Sequence, residues 1–146
     1  MFNFLKKNKD NKSNKYNLHI KAAALLIHAA KIDENYSDIE KKIIKKTLID
    51  LGINEEKLEE IFKKGENAEA NSNQILEFTK EIKKSNEQFK IKIIETLWNI
   101  IYSDGNSDMY ESNFMRRLTG LLYLDNKVVG NIKEKIKNKL TNDILD

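Results

Sequence analysis

The chain contains no cysteine, no proline and only five glycines among its 146 residues. Without cysteine it can form no disulfide, no thiolate metal site and no cysteine nucleophile. The scarcity of proline and glycine removes the residues that most often interrupt helices. Lysine, glutamate, isoleucine and leucine are abundant instead, and this composition favours helix.

The sequence also lacks a long apolar run. No stretch of about 18 apolar residues is present, so we expect no membrane-spanning helix. The segment Phe2 to Leu5, with three apolar residues, is shorter than the roughly 7–15 apolar residues that a signal peptide needs, and we expect a cytoplasmic protein. Residues 1–16 are interpreted as a basic flexible tail, capable at most of weak peripheral membrane contact. Residues 17–146 are interpreted as the folded domain.

The formal net charge of +3 comes from this tail, which holds five lysines and one aspartate. Residues 17–146 are therefore nearly neutral. Affinity for nucleic acid grows with the number of phosphates that a protein neutralises. We accordingly expect no nucleic-acid partner.

Apolar residues recur at helical spacing through the rest of the chain, and no stretch alternates as a strand would. The pattern predicts seven helices, at residues 18–31, 38–51, 55–64, 72–84, 86–102, 109–122 and 126–140. Ser85 and Gln88 predict a capping box for the fifth. The fold class is therefore all-α, a single compact bundle of about seven helices. Its predicted core includes Leu26, Ile44, Leu97, Trp98, Ile101, Met115 and Leu118.

The sequence resembles itself after a shift of 71 residues. Asp33 then falls on Asp104 and Glu40 on Glu111, and the apolar positions stay in phase for about forty residues. The pattern predicts an internally duplicated bundle of two repeats, each a helix, an acidic loop, a helix, a turn and a helix. The alternative is a coincidence between two amphipathic helices.

Both loops carry oxygen-bearing side chains at positions 1, 3, 5 and 8. Alternate residues of a tight loop can converge on one cation, as positions 1, 3 and 5 do in calcium loops. The candidate metal ligands are Asp33, Asn35, Glu40, Asp104, Asn106, Asp108 and Glu111. Oxygen ligands without thiolates favour a hard divalent cation such as Ca²⁺, Mg²⁺ or Mn²⁺.

Helix capping is the alternative explanation for part of this pattern. Ser37 with Glu40, and Asp108 with Glu111, have the spacing of capping boxes. Capping accounts for positions 5 and 8 but not for the aspartate and asparagine that recur at positions 1 and 3. The second loop is the better candidate cation site, because Gly105 makes it more adaptable than a loop with Glu34 at that position.

The two histidines offer little catalytic chemistry. His19 and His28 lie nine residues apart on one helix and therefore face opposite ways. His28 adjoins the first loop and could join a metal site there, although a partly buried, hydrogen-bonded role is favoured. No glycine-rich phosphate loop is present, and we expect no enzyme.

Two segments resemble a known family. Residues 23–33 (AALLIHAAKID) are similar to the opening helix and first acidic turn of the TerB-like superfamily. Residues 97–105 (LWNIIYSDG), followed by Asp108, Glu111 and the pair Arg116 and Arg117, resemble the second half of its small stand-alone bacterial members. The resemblance covers about residues 18–137.

The resemblance implies an all-α fold with two acidic clusters proposed to bind metal, and a link to tellurite resistance and chemical stress. Similar domains occur in a membrane-bound DnaJ-type co-chaperone. The carried-over acidic positions are Asp33, Glu40, Asp104, Asp108 and Glu111. The chain departs from many relatives at Glu34, where they have glycine, and at His28, Ser37 and Asn99, where they have acids. The competing interpretation is a helical protein-interaction module without metal, with an unidentified protein partner, or a membrane-peripheral accessory protein.

Overall fold

The computed structural model describes residues 2–32, 36–102 and 109–145, and throughout these ranges the regular structure is helical. The seven helices are α1 (Phe2–Ala30), α2 (Asp38–Asp50), α3 (Glu55–Ala70), α4 (Leu76–Ile82), α5 (Glu87–Tyr102), α6 (Met109–Leu121) and α7 (Asn126–Leu145). The predicted all-α class and the helix count are confirmed.

The second half of α1 is the centre of the bundle. Residues 22–27 have no solvent exposure, and α1 packs against α2, α3, α4 and α5. A helix apolar on every side must be covered on every side, which accounts for this position. All seven predicted core residues are buried, with exposures between 0% and 4%.

Three helices are longer than predicted, α4 is shorter by several residues, and the other three match the prediction within one residue. α1 begins at Phe2, so the backbone of residues 2–16 is helical where an irregular tail was expected, while the division into tail and domain stays a prediction. α3 continues to Ala70 and α7 to Leu145. α4 begins only at Leu76, because Ser72 forms a local turn in which its hydroxyl bonds the backbone of Gln74.

The start of α5 corrects one sequence prediction. Asn86 caps this helix, because its Oδ1 accepts the backbone N–H of Phe89 at 2.8 Å. The Ser85 hydroxyl donates to the Ile82 carbonyl instead. Ser85 therefore serves the end of α4, and the predicted Ser85–Gln88 capping box is wrong.

The turns after α2 and α6 have the same hydrogen bonds, 71 residues apart. Ile53 N–H donates to the Leu48 carbonyl at 3.0 Å, and Leu124 N–H donates to the Thr119 carbonyl at 3.1 Å. The preceding residue has a positive φ in both turns, 107° at Gly52 and 56° at Tyr123. Such a left-handed residue commonly ends a helix. The two turns agree, while duplication of the whole domain stays a prediction.

Candidate functional site

The predicted cation ligands lie largely outside the described residues. Asp33 and Asn35 fall in residues 33–35, and Asp104, Asn106 and Asp108 fall in residues 103–108. The backbone of Glu111 belongs to the first turn of α6, but its side chain is outside the description. The two segments precede α2 and α6, which is where the repeat places the acidic loops.

Glu40 is the predicted ligand whose side chain can be described, and it caps α2. Its Oε1 accepts the Ser37 backbone N–H at 3.1 Å and the Ser37 hydroxyl at 3.0 Å. The Glu40 backbone N–H donates to Ser37 Oγ at 3.2 Å. These reciprocal bonds form the predicted capping box. With 5% exposure, Glu40 serves the helix start rather than solvent.

The carboxylate of Glu69 on α3 contacts two basic residues at the end of α1. Glu69 lies 3.4 Å from His28 Nδ1 and 2.8 Å from Lys31 Nζ, both near the end of α1. Its side chain is 11% exposed. A carboxylate this enclosed is stabilised by such partners. Glu69 therefore ties the last turn of α3 to the last turn of α1, immediately before the first acidic segment.

Tyr36 lies within the electrostatic influence of three acidic residues, Glu66, Glu69 and Glu40. Burial raises the pKa of its phenol, and the negative charges of Glu66, Glu69 and Glu40 raise it further. The hydroxyl is buried and has no hydrogen-bond partner in the described part of the chain. The ring lies 4.9 Å from Lys41 Nζ, a distance suited to a cation–π contact.

The two histidines occupy separate environments. His28 is the partly buried, hydrogen-bonded residue that the sequence favoured, and its ring lies 6.1 Å from the ring of Phe114 on α6. His19 is buried, its Nε2 lies 3.0 Å from the Leu51 carbonyl, and its ring meets Phe89 edge-on. Each histidine thus has its own packing role.

Among the side chains that the structure describes, in residues 16–32, 36–102 and 113–139, no three from histidine, aspartate or glutamate come together in a way that could hold a metal ion. His28 and Glu69 form a pair, and Glu40 is committed to Ser37. The same described ranges include no helix long and apolar enough to cross a bilayer.

Glu66 and Glu69 were missed by the sequence interpretation, which ended the third helix at residue 64. The apolar stripe of α3 continues through Gly65 and Ala68, which are buried and half-buried. Gly65 and Ala68 continue the three-residue spacing of Phe62, and this pattern was the available signal that the helix extends beyond residue 64.

The helix order and the central apolar helix define a small all-α domain of seven helices in the described ranges. The family model described as "Tellurite resistance protein TerB" matches residues 19–134. The chain belongs to this family. Neither a curated protein nor a solved structure matches the sequence.

Proposed function

We propose that this chain is a non-enzymatic TerB-family protein that binds a hard divalent cation and contributes to the response to tellurite or chemical stress. The proposed site is the second acidic loop, with Asp104, Asn106, Asp108 and Glu111 as ligands. Family membership over residues 19–134 supports the proposal. The recurrence of oxygen-bearing residues at matching loop positions supports it independently.

The second loop is favoured over the first by its additional carboxylate, and the capping bonds of Glu40 show with what a cation in the first loop would compete. In the first loop, Glu40 is buried and its Oε1 already accepts two hydrogen bonds from Ser37. A cation there would compete with the cap of α2. The second loop has Asp108 where the first has Ser37, which provides one more anionic oxygen.

The residues of the second loop point to the same choice. α5 ends at Tyr102 and α6 begins at Met109, so a short segment joins the two helices. Gly105 within it can adopt φ values that Glu34 avoids. Three carboxylates and one amide fit the oxygen preference of Ca²⁺, Mg²⁺ or Mn²⁺.

A cation titration followed by backbone amide chemical shifts tests the proposal. We expect Ca²⁺ or Mn²⁺ to perturb residues 104–111 first, and Asp104→Asn to abolish the effect. Asp33→Asn, the matched change in the first loop, should leave it in place. A ligand that binds only the folded state at 100 times its Kd stabilises it by about 2.7 kcal/mol, so a thermal melt gives a second measure. Unchanged shifts at millimolar cation in a folded sample would refute the metal site.

An exposed apolar surface supports a second candidate, an interaction module without metal. Leu76 on α4 is 51% exposed, and Tyr123 after α6 is 75% exposed. Together with Lys83 and Leu121 they border a cleft of about 190 Å³. A tyrosine at such a cleft is a typical anchor for a protein partner. Loss of partner binding in Leu76→Asp, with the cation response intact, would separate this role from the first.

A further inference from the structure

A groove lined by both lysine and isoleucine side chains lies between α2, α5 and α7. Its volume is about 460 Å³, within the range of roughly 300–1,000 Å³ that small-molecule sites occupy. Each helix contributes four residues spaced i, i+3, i+4 and i+7, starting at Ile43, Lys92 and Ile132. Residues with this spacing share one helix face. Three helices therefore turn a face of about two turns each toward one concavity.

The floor of the groove is polar and internally satisfied. The hydroxyls of Thr47 and Thr96 lie 2.9 Å apart, and Thr96 donates to the Lys92 carbonyl at 2.9 Å. Thr47 is thus the donor between the two hydroxyls. Lys92 also pairs with Asp50 at 3.3 Å. These contacts fix α2 beside α5 and leave Lys92 neutralised.

The walls carry positive charge. Lys46 extends from α2, while Lys135 and Lys139 extend from α7. None of the three forms an ion pair with an acid in the described part of the chain. Glu95 is the one acid of the lining besides Asp50. Like charges around a concave surface focus a field that attracts counter-ions.

Apolar side chains complete the walls beside these lysines. Ile43 on α2 faces the groove together with Ile132 and Ile136 on α7. Ile136 is almost fully buried, while the other two are half-buried. The groove therefore combines an apolar surface with three unpaired ammonium groups, an arrangement complementary to a ligand that has an apolar body and an anionic end.

We propose that this groove binds a small organic phosphate ester. Lys46, Lys135 and Lys139 would hold the phosphate, for which lysine acts as a point charge. The apolar body of the ester would lie against the three isoleucines. This site is independent of the cation site proposed above, and it requires no metal.

Phenyl phosphate is a suitable probe, titrated into the full chain in the presence of a chelator. Inorganic phosphate and benzyl alcohol provide the anionic and apolar halves alone. We expect phenyl phosphate to shift the backbone amides around Thr47, Thr96 and Ile136, and to bind more tightly than either half. Equal affinity for benzyl alcohol or for inorganic phosphate would overturn the proposal.

Charge-neutral variants locate the site. Exposed ion pairs contribute about 0.2–1 kcal/mol, so Lys46→Gln and Lys135→Gln should each weaken binding about 1.4-fold to fivefold. Lys63→Gln is the matched control, because Lys63 is an exposed lysine of α3 outside the groove. Equal weakening by Lys63→Gln, shifts confined to other surfaces, or no shifts at millimolar probe would each overturn the proposal. Circular dichroism checks that every variant is folded.

Discussion

Gly65 of α3 lies against Ala23 of α1 so closely that a Cβ atom at position 65 would be 2.6 Å from the Ala23 Cβ. Real Cβ atoms do not approach to this distance. The two helices therefore pack at a separation that only glycine permits at this point. Because Glu69 follows one turn later, this contact also positions its carboxylate beside His28 and Lys31.

We expect Gly65→Ala to lower the free energy of unfolding by about 1–3 kcal/mol, the usual cost of overpacking a core. Gly130→Ala is the control, because Gly130 is an exposed residue of α7 with no atom within 4 Å of an added Cβ. Alanine should stabilise that helix by about 0.5–1 kcal/mol. Denaturant unfolding of both variants measures the contrast. Equal stabilisation by the two would contradict the close helix contact.

Gly52 and Tyr123, which both have a positive φ, predict opposite effects of substitution on the free energy of unfolding. At Gly52, with φ of 107°, any side chain is strained, so Gly52→Ala should cost about 1–2 kcal/mol. At Tyr123, with φ of 56°, the strain is already present and glycine would relieve it. Tyr123→Gly should therefore leave the free energy of unfolding unchanged or raise it, since the exposed ring contributes mainly a contact with Lys83. A large loss in Tyr123→Gly would mean that the two turns are not equivalent.

Helical periodicity predicted most of the fold from the sequence, because the apolar face of an amphipathic helix is the face that packs into the core. Ile44 and Leu97 are core residues for the reason that their spacing indicated. The continuation of α3 past residue 64 was not predicted, because glycine disfavours helix in isolation and the close contact of Gly65 with Ala23 emerges only when α1 and α3 are packed together.

The candidate site was less accessible to sequence reasoning. The capping box of Ser37 and Glu40 is local, three residues apart, and was predicted correctly. The contact between His28 and Glu69 joins residues 41 positions apart. No spacing rule within one helix connects such residues, so the acids around Tyr36 emerge only once α1 and α3 are packed together.

Tyr36 predicts a pH dependence at the alkaline end. The pKa of the phenol is raised in the folded protein by burial and by neighbouring acids, whereas in the unfolded chain it lies near 10. Below pH 10 both states are protonated and stability is fully present. As the pH rises above about 10, the unfolded state releases the proton first, so stability falls.

The comparison of wild type with Tyr36→Phe isolates this contribution from the titrating lysines. At pH 7 the substitution should be neutral or stabilising, because the buried hydroxyl has no partner among the described residues. Above about pH 10 the wild type should lose stability faster than Tyr36→Phe. Urea unfolding at several pH values measures the difference. Parallel curves up to pH 11 would contradict the environment described for Tyr36.

The capping box at α2 provides a test that separates helix capping from cation binding at the first loop. Ser37→Ala removes the acceptor for the Glu40 backbone N–H and should cost about 1 kcal/mol. Glu40→Ala removes the reciprocal bonds to Ser37 and should cost a similar amount. Because the two residues share these bonds, the double variant should lose less than the sum of the single losses. The same variants are also made in the Asp104→Asn background, which removes the second site. There the free energy of unfolding that each variant loses should be the same in a chelator as in millimolar Ca²⁺. A cost of Glu40→Ala that appears only with the cation would instead make Glu40 a metal ligand.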